Sequence, residues 1–204
     1  MTGQYFKYGK TEIDYLKSRD KKLAAAIDKI GYIKREVTPD IFTALVNSIT
    51  GQQISNKALV TILKRLHDKF SPITPENLSR IDVQEIQLCG ISMRKASYIS
   101  EMAKAVAGGE VDLSKLNSMS DKEVCDYLCK LKGIGSWTAE MIMLFSMQRS
   151  DILSAKDFVI LKGMRALYGH KEITPALFEK YRSRYSPYGS VASLYLWQIA
   201  VMKP

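Results

Sequence analysis

An all-α fold is predicted by three features of the 204-residue chain: apolar residues recur at helical spacing, helix-start signals punctuate the sequence, and strand-like alternation is scarce. Between residues 40 and 70, Ile41, Phe42, Leu45, Val46 and Ile49 line one apolar face. Leu59, Ile62, Leu63 and Leu66 line the face of a second helix. Thr38-Pro39, Thr74-Pro75 and Thr174-Pro175 each set a capping hydroxyl before a proline suited to the first helical position. Ser120 and Glu123 form a capping-box pattern ahead of "VCDYLCKL". The stretch "GGEVDLSKL" (108–116) reads as a loop and a candidate hinge.

The chain is long enough for one substantial core or for two lobes sharing a cleft. Its 30 Lys and Arg outnumber 21 Asp and Glu, giving a net charge of +9 that is scattered rather than gathered in a tail. A folded basic protein of this kind favours a polyanionic partner, nucleic acid first, with a merely solubilising charge as the plainer alternative. No apolar run is long enough to span a bilayer, and "MTGQYFKYGKTEIDYL" has no apolar signal core, so an intracellular protein is expected. Cys89, Cys125 and Cys129 lack framework or zinc spacing and read as core thiols in a reducing compartment.

One echo runs through the middle of the chain. "LCGISMRKASYI" (88–99) and "LKGIGSWTAEMI" (131–142) agree at Leu, Gly, Ile, Ala and Ile with a constant offset of 43. Each sits between helical segments, so two helix–turn–helix units of one design are expected. Only the second has the form Gly-x-Gly, at Gly133 and Gly135, and the first has Ser92 in place of the second glycine. A plain helix–helix turn needs one glycine. Two glycines ahead of a helix that restarts at Ser136 or Trp137, with Ser136 and Thr138 adding hydroxyls, make a phosphate-binding turn. A tight turn with Ile134 packed inside is the alternative. Further on, Asp157 lies 20 residues beyond Trp137 at the start of the apolar segment "FVILKGM". Taken alone, it reads as an N-cap.

Taken together, these residues resemble a known family. "LKGIGSWTAEM" followed by "AKDFVI" is similar to the helix–hairpin–helix, Gly/Pro-rich loop and Asp signature of the base-excision DNA glycosylase superfamily. "LVNSITGQQISNKAL" (45–59) resembles its Gln-Gln helix turn. "ISMRKASYI" and "YSPYGSVASLYLW" resemble more specifically the alkylpurine branch, the 3-methyladenine DNA glycosylase II type. The resemblance runs from about residue 10 to the end. It implies two helical lobes, 38–148 and 1–37 with 149–204, with the active-site cleft between them. No N-terminal β domain of the kind some relatives carry is expected, because the helical pattern begins within the first 15 residues.

By the same resemblance Asp157 is the catalytic carboxylate, stabilising positive charge that develops on the sugar. Trp137, Met141 and Trp197 would form the base pocket, Met141 standing where some alkylpurine enzymes have an aromatic. An electron-rich ring attracts a cationic alkylated purine by roughly 0.5–2 kcal/mol. Gln53 would fill the gap left by a flipped base, and Lys132, Gly133, Gly135, Ser136 and Thr138 would hold the DNA. Arg94 and Lys95 are further phosphate contacts or ordinary surface charge. Carbonyls of Cys129, Leu131 and Ile134 are the implied ligands of a structural Na⁺ or K⁺. Gly189 stands where an arginine is common.

Strand-nicking relatives place a lysine nucleophile two residues after the second hairpin glycine, and here that residue is Trp137. A monofunctional, monomeric enzyme acting on damaged purines in double-stranded DNA is therefore expected. No cysteine follows Cys129, so no iron–sulfur cluster is expected. Two rivals remain open: an oxidised-purine or mismatch glycosylase on the same scaffold, and a non-catalytic DNA-structure binder in which Asp157 only caps a helix.

Overall fold

The computed structural model describes residues 4–202, and the regular elements among these are helices joined by loops, with one isolated antiparallel bridge between Tyr5 and Glu36. They divide into two compact units, 38–142 and 1–37 with 143–204. The second division falls at 142/143, inside a helix, rather than at the 148/149 position read from the sequence.

The 38–142 unit contains α1 (Ile41–Gly51), α2 (Asn56–Phe70), α3 (Pro75–Leu78), α4 (Val83–Gln87) and α5 (Met93–Ala107). A 3₁₀ turn, Leu113–Ser118, then α6 (Asp121–Leu128) and most of α7 (Ser136–Phe145) complete it. Leu45, Ile49, Leu66, Leu78, Ile86, Ile99, Leu116 and Leu128 are almost wholly buried and make its core. The helix starts follow local chemistry. Thr74 caps α3 ahead of Pro75, and Ser120 and Glu123 close the expected capping box on α6. Thr38-Pro39 does not start a helix; Asp40 caps α1 by accepting from Thr43 N at 2.7 Å, because a carboxylate three residues before a free amide is the better acceptor. The expected loop 108–116 is partly helical, since Asp112 accepts from Ser114 N and nucleates the 3₁₀ turn.

The other unit contains α8 (Lys10–Arg19), α9 (Lys21–Ile30), α10 (Phe158–Tyr168), α11 (Pro175–Tyr185) and α12 (Gly189–Val201). In α12, Gly189 to Leu196 are all buried, together with Ile199 and Ala200, so this helix is apolar on nearly every side and forms the centre of its unit. Helix α10 lies against it with almost no gap. A Cβ placed on Gly163 would stand 2.1 Å from the Leu196 carbonyl oxygen. Asp20 joins α8 to α9 and is only 4% exposed. It caps α9 through Lys22 N and Leu23 N, accepts from Tyr168 Oη at 2.7 Å, and pairs with Arg184. Burial alone would raise its pKa; the Leu23 amide, the Tyr168 hydroxyl and the Arg184 guanidinium together outweigh that and hold it below the usual carboxylate value.

The reading of all three cysteines as core thiols holds only for Cys89; Cys125 is half-buried and Cys129 is exposed, because α6 points Val124 and Leu128 into the core and Cys129 lies at its C-cap, past the buried face. Burial and the neighbouring Cys129 push the Cys125 thiol up to about 11.

Two stability measurements follow from this packing. Gly163→Ala forces α10 off α12 and is expected to cost about 3 kcal/mol in urea denaturation. The folded pKa of Asp20 is depressed, so its contribution is complete above about pH 4 and is lost as pH falls through the folded value. Asp20→Asn, which can still cap, is expected to lose stability at neutral pH and to show a shallower acid limb below that pH.

Candidate functional site

The hairpin between α6 and α7 is built by two glycines with different duties. Gly133 has φ +85, and a Cβ there would lie 2.6 Å from the Tyr98 ring, so this position admits only glycine on intramolecular grounds. Gly135 has no such constraint: a Cβ there meets nothing within 4 Å. The exposed main chain at Gly135 is therefore open to an outside group. Between them Ile134, 5% exposed, pins the turn to the core. The positive end of the α7 dipole lies beside this turn, at Ser136.

The first copy of the repeat has the same geometry. Gly90 has φ +104, Ile91 is buried like Ile134, and Ala96 and Ala139 are both fully buried. Ser92, in place of a second glycine, caps α5 by accepting from Lys95 N. One turn design is used twice, with the Gly-x-Gly form only in the second.

On α7, Trp137 keeps 44% of its surface exposed, and Met141 follows one turn later, half-buried. Thr138, expected among the DNA-holding residues, is only 5% exposed and faces the interior. Lys132 is exposed but pairs with Glu101 at 2.8 Å, which raises its pKa. Its ammonium is thus shared with a carboxylate. Gln53, at the turn after α1, is exposed and holds φ +55. Lys95 is half-buried: its ammonium donates to the carbonyls of Thr50 and Gln52, and burial lowers its pKa. Arg94 remains exposed. Of the three hairpin carbonyls, that of Leu131 already accepts from Ile134 N at 3.1 Å. Among the described residues no group of three His, Cys, Asp or Glu side chains gathers as a metal site.

In the other unit Asp157 caps α10. Its Oδ1 accepts from Val159 N at 2.8 Å and Ile160 N at 2.9 Å, and the residue is 5% exposed. Phe158, next in sequence, is 68% exposed and has the Arg165 guanidinium 5.7 Å from its ring centre. The loop before Asp157 is fastened to the start of α12 by a set of buried hydrogen bonds. Ser190 Oγ accepts from Ile152 N at 2.9 Å and donates to the Arg149 carbonyl, while Ser193 Oγ donates to the Ile152 carbonyl at 2.9 Å. Asp151 accepts from Gly189 N at 3.0 Å and from the Ser186 hydroxyl at 2.6 Å. A Cβ at Gly189 would stand 2.7 Å from the Asp151 carboxylate, which accounts for glycine there. Trp197 is half-buried and stacks on Phe145, ring centroids 5.5 Å apart, so packing occupies one of its faces.

The expected residues thus fall in two sets: the hairpin, Trp137, Met141 and Gln53 in the 38–142 unit, Asp157 and Trp197 in the other. Sequence reasoning missed Gln52, Asp151, Ser190 and Ser193. Two serines three apart on an otherwise apolar helix were a signal, since buried hydroxyls need partners.

The fold and the site together define an all-helical helix–hairpin–helix protein in which a buried aspartate caps a helix. Residues 46–187 match the family described as HhH-GPD superfamily base excision DNA repair protein, and the chain belongs to that superfamily. It is similar, at 34% identity and TM-score 0.86, to the crystal structure of the DNA-3-methyladenine glycosidase from Bacillus halodurans, over 98% of this chain and 93% of that one. The 3-methyladenine DNA glycosylase of Schizosaccharomyces pombe in complex with abasic DNA is 26% identical, TM-score 0.81, over 93% of this chain and 96% of that one. The alkylbase DNA glycosidase-like protein mag2 of the same yeast is 29% identical over 196 residues, 91% of each chain. No helix among the described residues is long and apolar enough to cross a membrane.

Ser190→Ala tests the fastening of the loop. It leaves the Ile152 amide without its acceptor in a buried site, and a loss of about 1–3 kcal/mol is expected in denaturation, against almost none for Ser114→Ala on the exposed 3₁₀ turn.

Proposed function

We propose that this protein is a monofunctional DNA glycosylase that excises alkylated purines, such as 3-methyladenine, from duplex DNA in base excision repair. The observation that carries the reading is Asp157: a buried carboxylate fixed by two main-chain amides at the head of α10, on a loop itself hydrogen-bonded to α12. The names of the similar proteins support the alkylpurine substrate class.

In this reading the bond between C1′ and the purine nitrogen breaks, and its electron pair leaves with the base. Asp157 faces the positive charge that grows on the sugar and orients a water, whose oxygen bonds to C1′ while its proton passes to the carboxylate or to solvent. A cationic alkylated base is a good leaving group, so no strong general acid is needed. Trp137 offers its exposed ring to the flipped base, with Met141 beside it and Trp197 a further contact. The main chain at Gly133, Gly135, Ser136 and Thr138 holds a phosphate, Lys132 adds charge that Glu101 shares, and Gln53 fills the gap in the stack. The carbonyls of Cys129, Leu131 and Ile134 would hold a Na⁺ or K⁺ that stiffens the turn. No iron–sulfur cluster or other cofactor takes part. The protein acts as a monomer inside the cell, with the chromosome. With Trp137 at the nucleophile position no Schiff base forms, and the abasic strand stays intact.

The test is release of methylpurines from methylated duplex DNA and of ethenoadenine, hypoxanthine or 8-oxoguanine from oligonucleotides. Asp157→Asn retains a good cap and is expected to bind DNA normally while losing about 3 kcal/mol or more of transition-state stabilisation. Strand breaks should need alkali, and borohydride should trap no protein–DNA adduct. Near-wild-type excision by Asp157→Asn removes it from the chemistry. Tight binding with no base released by the wild type replaces the reading with a DNA-structure binder.

A further inference from the structure

The turn that carries Gln53 and the Gly-Ile-Gly turn are joined, side chain to main chain. Gln52 Nε2 donates to the Gly133 carbonyl at 2.7 Å. Lys95, on the first turn of α5, donates to the carbonyls of Thr50 at 3.0 Å and of Gln52 at 2.5 Å. Those carbonyls end α1, where the helix dipole is negative and a cation is held most favourably. Gln53 itself holds φ +55, a conformation that residues other than glycine keep only where their surroundings fix it. The residues just before Gln53 therefore lock the turn, and one of the locks ends on the hairpin.

We propose that Gln52 and Lys95 are positioning residues that make the Gln53 turn and the 131–135 hairpin one rigid piece. The side chain that enters the duplex and the backbone that grips the phosphate then stand at a fixed separation along the strand. A wedge free to move against the grip would give way as the base stack closes; a wedge tied to it cannot. This inference rests on the glycosylase reading, since it assigns a purpose to turns that reading places on DNA.

The experiment compares Gln52→Met, Gln53→Ala, the double variant, Lys95→Met and the conservative Lys95→Arg, after thermal melting has checked that each folds. Single-turnover release of methylpurines is measured from duplex DNA and from the same DNA made single-stranded, where no stack resists the wedge. Gln52→Met is expected to slow the duplex reaction about tenfold and the single-strand reaction less than about twofold. The double variant should be no slower than Gln53→Ala, because Gln52 acts through the wedge. Lys95→Met should follow Gln52→Met, and Lys95→Arg should stay near wild type. Equal losses on both DNAs, additive losses in the double variant, or no loss at all overturn the proposal. A second readout does not need chemistry: the fluorescence of 2-aminopurine placed opposite a tetrahydrofuran abasic site, on binding. If the wild type releases no base, the glycosylase reading fails by itself, and an unchanged fluorescence response in Gln52→Met then overturns the coupling.

Discussion

The hydrogen bonds between the buried serines of α12 and the loop before α10 are the constraint on which the candidate chemistry depends. Helix α12 is apolar nearly all round, and a helix so buried has little use for hydroxyls unless they are matched. Ser190 and Ser193 are matched, to the main chain of Arg149 and Ile152, and Asp151 closes the arrangement onto Gly189 and Ser186. With the loop fixed at that end, and α10 pressed onto α12 through Gly163, the Asp157 carboxylate has little freedom of position. The motif "YSPYGSVAS" is thus a holder for a loop distant in sequence.

Charge is handled differently on the two sides of the chain division. In the 38–142 unit two lysines close to the hairpin are already partnered within the protein, Lys95 with carbonyls and Lys132 with Glu101 at the surface. In the other unit a buried carboxylate, Asp20, gathers Arg184 and Tyr168 and ties the N-terminal helices to α10 and α11. Net charge read from composition names a class of partner; it does not say which cations remain to meet it.

The all-helical fold was legible because its signals are local: apolar spacing in 40–70, hydroxyl and carboxylate caps, and a repeat whose matched glycines both proved to have positive φ. The hairpin stood out for the same reason, whereas Asp157 read locally as a cap and stood out only through the resemblance of the combined motifs. What escaped was long-range. Gln52 and Gly133 are 81 residues apart, and Ile152 and Ser190 are 38 apart, and no local pattern announces either pair. Thr138 looked like a donor beside Ser136, yet helical rotation carries it into the interior. Thr38-Pro39 looked like a helix start until Asp40, closer to the free amides, supplied the cap.

The aspartate that caps α10 has one further consequence. Its Oδ1 is bound by the first amides of the helix, so the carboxyl group takes its orientation when that helix forms, with no nucleic acid present. A carboxylate in water must rearrange its solvent as a neighbouring charge appears; one already facing fixed dipoles has no such rearrangement left to make. The reorganisation falls on folding once, and the arrangement at Oδ1 is finished before any partner arrives.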